Sequence, residues 1–483
     1  MKVIFNLTLF LLLFSCKTAK NLEPGSISIP SQFDSNSTLQ SIDSLKKNIT
    51  DSSLSYQVFF KDSILLALID EALAQNLDLK MMQARLIQAQ ANVVFTKGIR
   101  LPELGLAVTN GLRKFGDYTV DGVGNYDTQF SPNLTSAQQI PNPVPDYFSG
   151  IYTSWELDLW GRLKNQKKSA QERFLASEEA RKLATAELIT ELSSQYIRLL
   201  ALDQELIIVK QNIQLLENAL AMIEAQMQSG RTTAIAVDLM SAQLLSTQNL
   251  YLDVERMILE TENKINVLLG RYPEKVVRSS FKNDDYALTK LENGIPSEML
   301  NFRPDIQEAE HRLNAANADI QSAKAAFYPS IVLSGSIGLQ AFRANVLLDL
   351  PASLAYNVIG GLTQPLLNRR QLKANLLAEE GKQKEAYLNY EKVVLKSFTE
   401  VYELFQFQSK LEEMSLLKQQ EVNRLSRSAA NVEELFLSGR CTYLEIYTAQ
   451  ATYLKTQIEL LNIQQMCYFN EIKLYKAMGG AWR

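Results

Sequence analysis

The chain has 483 residues, 46% hydrophobic and 21% charged, with a net charge of −4. That balance excludes an intrinsically disordered chain. With no basic face, zinc-finger spacing or glycine-rich phosphate loop, it also excludes nucleic acid as an expected partner.

Residues 1–15 read as a signal peptide: Lys2 precedes an apolar run from Val3 to Phe14 that is too short to span a bilayer as a helix. The run closes Leu13-Phe14-Ser15-Cys16, which resembles a bacterial lipobox and makes Cys16 the expected lipidation site; Phe14 stands where a small residue is usual. Residues 16–55, rich in Ser, Asn and Lys, read as a lipid-anchored leader. Cys441 and Cys467, the other two thiols, fall inside helical patterns and give no disulfide framework.

Residues 56–270 read as a first repeat. A helical pattern runs from Asp62 to Arg100 with a break near Asn76, and Pro102 ends it. Leu104, Leu106 and Val108 then alternate as a strand, placed at 103–115. Gly116 to Asp146 has no period and reads as a long surface loop, followed by an aromatic-rich strand at 147–159. Gly161 opens a helix that continues to Ser229, about 100 Å at roughly 1.5 Å per residue. Tyr196, Leu199, Leu202, Leu206, Val209, Ile213, Leu216, Leu220, Ile223 and Met227 step by three or four along it, the seam of a coiled coil. A helix this long needs another long helix as its partner. Thr232 to Leu269 supplies one, joined through Ser229-Gly230-Arg231 as an antiparallel hairpin. Residues 271–302, with Pro273, Gly294 and Pro296, read as a linker.

Residues 303–483 repeat the pattern. Pro304 and Asp305 suit a helix start, and RPDIQEAEHRLNAANADIQSAKAAFYPSI, from Arg303 to Ile331, lies on Asn76 to Leu104 at an offset of 227. Asp305, Arg312, Leu313, Lys324 and Pro329 then meet Asp78, Arg85, Leu86, Lys97 and Pro102. Strands follow at 331–342 and 354–367, then a second long hairpin turning at Ser438-Gly439-Arg440, now at an offset of 209. The first half therefore carries 18 more residues, and the surplus falls in its strand-loop-strand segment.

Four aromatic-rich strands on an exported chain suggest a membrane sheet, yet a barrel in lipid needs at least about eight strands and no open edge. Several copies must pool their strands. At this point the sequence resembles the outer-membrane efflux channel family, the TolC-like outer-membrane factors, in its lipoprotein branch. The resemblance rests on RPDIQEAEHRL, AKAAFYPSI, SWELDLWGRLKN at Ser154 to Asn165, the two Ser-Gly-Arg turns and the closing LYKAMGGAWR. It implies a mainly α fold with a β-barrel contribution: two structural repeats per chain, four transmembrane strands and long antiparallel coiled-coil helices, closing as a trimeric 12-stranded barrel and α-helical tunnel. It further implies a homotrimer held in outer-membrane lipid, working with a periplasmic adaptor protein and an inner-membrane efflux transporter. Alternatives left open are a type I protein-secretion outlet of the same fold and an anchored periplasmic coiled-coil structural protein.

No enzyme chemistry is expected, and no cofactor or metal: His311 is the only histidine, its first-repeat counterpart is Ala84, and the serines have no base to form a triad with. The resemblance implies a gate at the periplasmic tip, where acids shortly after the second turn face the lumen. Glu445 matches one such position, while Thr448 stands where a second acid is common. Thr442-Tyr443-Leu444-Glu445 also reads as a capping box, in which Glu445 serves a backbone N–H. In the first half Ala236 takes the matching place and Asp238 follows two residues later; Arg231 and Arg440 complete the candidate gate as tip contacts.

Overall fold

The structure is a computed structural model that describes residues 55–281, 303–365 and 369–480. The signal peptide, Cys16 and nearly all of the leader, together with linker residues 282–302, lie outside the described residues. The first half runs α1 (Tyr56–Phe59), α2 (Ser63–Gln75), α3 (Leu77–Gly98), β1 (Glu103–Arg113), α4 (Val120–Asp127), β2 (Val144–Leu157), α5 (Arg162–Gln228) and α6 (Ala234–Leu268). The second runs α7 (Pro304–Ala325), β3 (Ser330–Ala341), a 3-10 turn (Ala344–Val346), β4 (Leu354–Thr363), α8 (Arg369–Leu437) and α9 (Tyr443–Ala477).

Two differences from the sequence expectations have local causes. Alternation places the strands at 103–115, 147–159, 331–342 and 354–367, whereas β2 starts three residues earlier and β4 ends at Thr363. β2 accommodates Pro145 because that residue lies beyond Tyr147, the last residue paired with β3, so one of its sides carries no ladder. The aperiodic segment 116–146 holds α4, a helix with two glycines whose short apolar stripe, Val120, Val123 and Tyr126, is exposed. Its start is fixed instead by Thr119, whose hydroxyl accepts from the Gly122 N–H at 3.1 Å.

By packing, the described residues divide into two units. One, from 88–175 and 311–388, contains the whole sheet; the other, from 55–87, 176–310 and 389–480, contains the helical core. In the sheet unit the order is β1-β2-β3-β4, every pair antiparallel, so that the β2–β3 ladder joins strands from the two halves of the sequence. The β1–β2 connection spans 114–143 and the β3–β4 connection 342–353, 30 and 12 residues, which accounts for the 18-residue surplus.

In the helical unit the seam of α5 is buried at Tyr196, Leu199, Leu202, Val209, Leu216 and Ile223 and reaches solvent at Met227. Its middle stretch packs with Phe59, Leu65, Ile69, Ile265, Ile472 and Tyr475, and the Tyr475 ring stacks on Phe59 with centroids 3.9 Å apart. Asp62 ties this core: one carboxylate oxygen caps α2 by accepting from the Ile64 N–H, the other accepts from the Tyr196 and Ser279 hydroxyls at 2.8 and 2.7 Å. Burial pushes the Asp62 carboxyl up, but these hydrogen bonds outweigh it and hold the group below the usual carboxylate value.

The repeat is written into the helix ends. At Gly230, Gly270, Gly439 and Gly479 the backbone turns left-handed, φ between 71° and 98°, where glycine carries no Cβ penalty. Each glycine N–H bonds back three residues and the next N–H five, the Schellman pattern. A second shared device fixes the start of the strand-leading helices. Arg303 Nη1 donates to the Ala477 carbonyl at 3.1 Å, at the end of α9. Asn76, 227 residues earlier, donates its Nδ2 to the Leu268 carbonyl at 2.8 Å, at the end of α6. Arg303 goes further, binding Asp305 and, at 2.7 Å, Glu400 on α8.

Candidate channel wall and helical tips

Directly paired residues of an antiparallel ladder point to the same face, so the register assigns the two sides of the sheet. One face carries Leu104, Leu106, Val108 and Leu112 from β1, Ile151 and Trp155 from β2, Leu333 and Ile337 from β3, and Tyr356, Val358 and Leu362 from β4. It is almost wholly apolar. Yet Leu106, Val108, Tyr356 and Val358 are 75–78% exposed in one chain, a burden that water would not leave uncovered.

The opposite face is the more polar one: it carries Thr109, Ser154, Ser334, Ser336 and Asn357, with glycines at 105, 150 and 338, alongside Phe148, Val332 and Ile359. Tyr152 lies over Gly105, its cross-strand partner, where an added Cβ would come within 2.3 Å of the ring. On this face no ionisable carboxylate or base occurs between Glu103 and Glu156 near one end and Arg113 and Asp146 near the other. The strands, 10–14 residues long, suit a tilted crossing of a bilayer. Where they meet the helices, Trp155 donates to the Arg100 carbonyl at 3.0 Å, Trp160 to that of Pro329 at 2.8 Å, and Trp160 stacks on Tyr328. Amphipathic rings gathered in this way mark a membrane–water boundary. The aromatic load is legible strand by strand in the sequence, whereas this polar wall is legible only as the partner set of the apolar alternation.

The sheet has two open edges, β1 and β4. In lipid their unpaired backbone groups require other strands, which further copies of the chain supply.

At the helical tips the structure brings both hairpin turns to one small core, in which Ile223, Ala236 and Met240 from the first pack with Val432, Phe436 and Ile446 from the second. Arg231, Asp238, Arg440 and Glu445 are all exposed around it. Neither arginine makes an ion pair among the described residues. Glu445 accepts from the Thr442 N–H at 2.6 Å and from the Thr442 hydroxyl at 2.9 Å, which hold its carboxyl below the usual value. The capping role is therefore realised within one chain. Away from the tips His311 Nδ1 meets Glu172 at 2.8 Å, linking α7 to α5. Burial pushes the Cys467 thiol up to about 11, which leaves it unreactive.

Comparison with known proteins agrees with this geometry. The family model described as outer membrane efflux protein matches residues 68–271 and 295–480. The cation efflux system protein CusC of Escherichia coli O6:H1 is 27% identical over 475 residues, covering 98% of this chain and 97% of that protein. A probable outer membrane lipoprotein of Salmonella typhimurium, SilC, is 28% identical over 485 residues, covering 98% and 97%. Among solved structures, a CusC crystal structure from work on folding and transmembrane channel formation superposes with a TM-score of 0.81 at 26% identity, over 96% of this chain and all of that one.

Proposed function

The chain belongs to the outer membrane efflux protein family, and from that premise we propose that it is the outer-membrane duct of a tripartite system, passively conducting what an inner-membrane pump and a periplasmic adaptor deliver. It is an outer-membrane lipoprotein with a periplasmic helical extension, and it is not an enzyme. Its fold is the mainly α one whose strands close as a trimeric 12-stranded barrel prolonged by a helical tunnel. The observation that carries the reading is a sheet with an exposed apolar face, a polar face and two open edges. Lipid covers the first, water fills the space inside the second, and neighbouring copies close the third. A periplasmic spacer would leave the apolar face in water. In mild detergent, native mass measurement is expected to give three chains, converting to a single chain only on heating in dodecyl sulfate; a stable monomer with intact secondary structure would overturn the channel reading.

Cys16 is the proposed lipid attachment. The tip is the proposed gate. Three copies of Glu445 around one axis would focus a negative field and draw cations, and because Arg231 and Arg440 are exposed and without an ion pair among the described residues, their closing contacts would lie between copies. Planar-bilayer recordings test this. Glu445→Gln is expected to lower cation selectivity and Arg440→Ala to raise conductance. Unchanged selectivity with a lowered melting temperature would reduce Glu445 to a helix cap.

A further inference from the structure

The β1–β2 connection, 18 residues longer than its counterpart in the second repeat, is folded. Gln129 Nε2 donates to the Ile140 carbonyl at 2.6 Å, the Ile140 N–H donates to the Thr128 hydroxyl, and the buried Asn125 donates to the Pro141 carbonyl. α4 and the turn after it are thus fastened to the returning arm at 139–141. That arm is fastened in turn to the β3–β4 connection, since Arg343 Nη2 donates to the Gln139 carbonyl at 3.0 Å. α4 begins shortly after β1 ends, and hydrogen bonds run from it to the arm and from the arm to the β3–β4 connection.

Of the polar side chains of α4, Asn125 is spent on the arm while the carboxylates of Asp121 and Asp127 are exposed, and beside them lies an open apolar surface. Tyr118, Val120, Val123, Tyr126 and Phe130 are all exposed, the last two with ring centroids 5.0 Å apart. At the same end of the sheet, on the β4 side, the β3–β4 connection exposes Leu348 (79%) and Leu350 (63%). In a closed barrel, β1 of one copy adjoins β4 of the next, so the connection that leaves β1 and the connection that enters β4 become neighbours across the seam.

We propose that the Tyr118–Phe130 face docks on Leu348 and Leu350 of the next copy, so that three connections form a continuous collar at the outer rim. The occupant is a second copy of this chain, because the patches flank the two edges that the barrel joins and each is apolar where the other is. The collar would clamp every β1–β4 seam from outside the lipid. A first half 18 residues longer than the second is what such a one-way clasp requires, since only one of the two connections has to reach.

The inference rests on the trimeric reading, and the test separates the two. Tyr126→Cys/Leu348→Cys and Val123→Cys/Leu350→Cys are made in the full chain and treated on whole cells with a short bifunctional maleimide; native mass is measured alongside. Covalent trimers on denaturing gels are expected from one pair or both. Tyr126→Cys alone should react with an impermeant maleimide several-fold more slowly than Asn133→Cys, a solvent-facing position in the same connection. Equal labelling rates and no cross-link in a protein that still weighs three chains would overturn the collar and leave the channel standing. Failure to weigh three chains would instead overturn the reading beneath it.

Discussion

Replacing Val358 by lysine is expected to abolish recovery of the assembled barrel, while Ser336→Lys, one strand away, is expected to leave assembly intact. Val358 lies in the middle of β4 on the apolar face, 76% exposed in one chain, and Ser336 in the middle of β3 on the opposite face, paired with Asn357. A lysine facing lipid near the bilayer midplane costs roughly 2–4 kcal/mol per copy, so three copies cost on the order of 6–12 kcal/mol. That range matches the whole stability of a typical domain, about 5–15 kcal/mol. A lysine on the polar wall stays hydrated. Its effect should appear in conduction, because the middle of that face has no carboxylate or basic side chain and three added positive charges would turn the barrel toward anions. Heat-modifiable trimers on gels and reversal potentials in bilayers read the two outcomes. Normal trimers from Val358→Lys together with failed assembly of Ser336→Lys would mean that the faces are assigned the wrong way round.

The contrast between those positions was readable in the sequence as alternation, and so was much of the helical frame. Most of the positions that step by three or four along α5 are buried, and the Ser-Gly-Arg triplets are the turns. Periodicity reports what one face of one element does. It is silent on contacts whose partners are far apart in sequence, and the misses are of that kind. The apolar residues of α4 are exposed, and its place is held by hydrogen bonds that it and the turn after it make with residues 140 and 141. The pairing of β2 with β3 joins strands about 180 residues apart, at a loop-closure cost that no local pattern encodes. At the tips the sequence offered two readings of Glu445, and one chain realises the cap because Thr442 is three residues away. A ring would need an axis that one chain does not contain. Asn76 is the clearest case: it reads only as a break in a helix, and in the fold it holds the end of α6.

Its counterpart Arg303 should be among the most costly positions to change in the helical unit. Its side chain is 7% exposed and its guanidinium meets two carboxylates and a helix-terminal carbonyl at once, Asp305, Glu400 and Ala477. Arg303→Met keeps most of the volume and removes the charge, leaving both carboxylates beside Ile306, Val394 and Val401 without it; removing one partner of a buried ion pair costs about 3–5 kcal/mol. Arg303→Lys should recover only part of the loss, because an ammonium cannot present the planar fork that bridges α7, α8 and α9. The pH dependence identifies the cause. Burial pushes the Asp305 carboxyl up, and hydrogen bonds and charge from Arg303, with further bonds from Ser397 and the Ile306 N–H, outweigh it and hold the group below its usual value. A carboxyl depressed in the folded state contributes stability that is complete above its unfolded value, about 3.9, and is lost as pH falls further through the folded one. The natural chain should therefore show no change from this group between pH 7 and 5. In Arg303→Met the sign reverses: the Asp305 carboxylate keeps its burial and loses the Arg303 counter-charge and hydrogen bonds that offset it, so its value rises and mild acidification relieves it by protonation. The melting temperature of the variant is expected to rise as pH falls from about 7 to 5. A variant that melts lower than the natural chain by the same margin at every pH would show that Arg303 holds the three helices by packing and the Ala477 hydrogen bond, with no contribution from its charge.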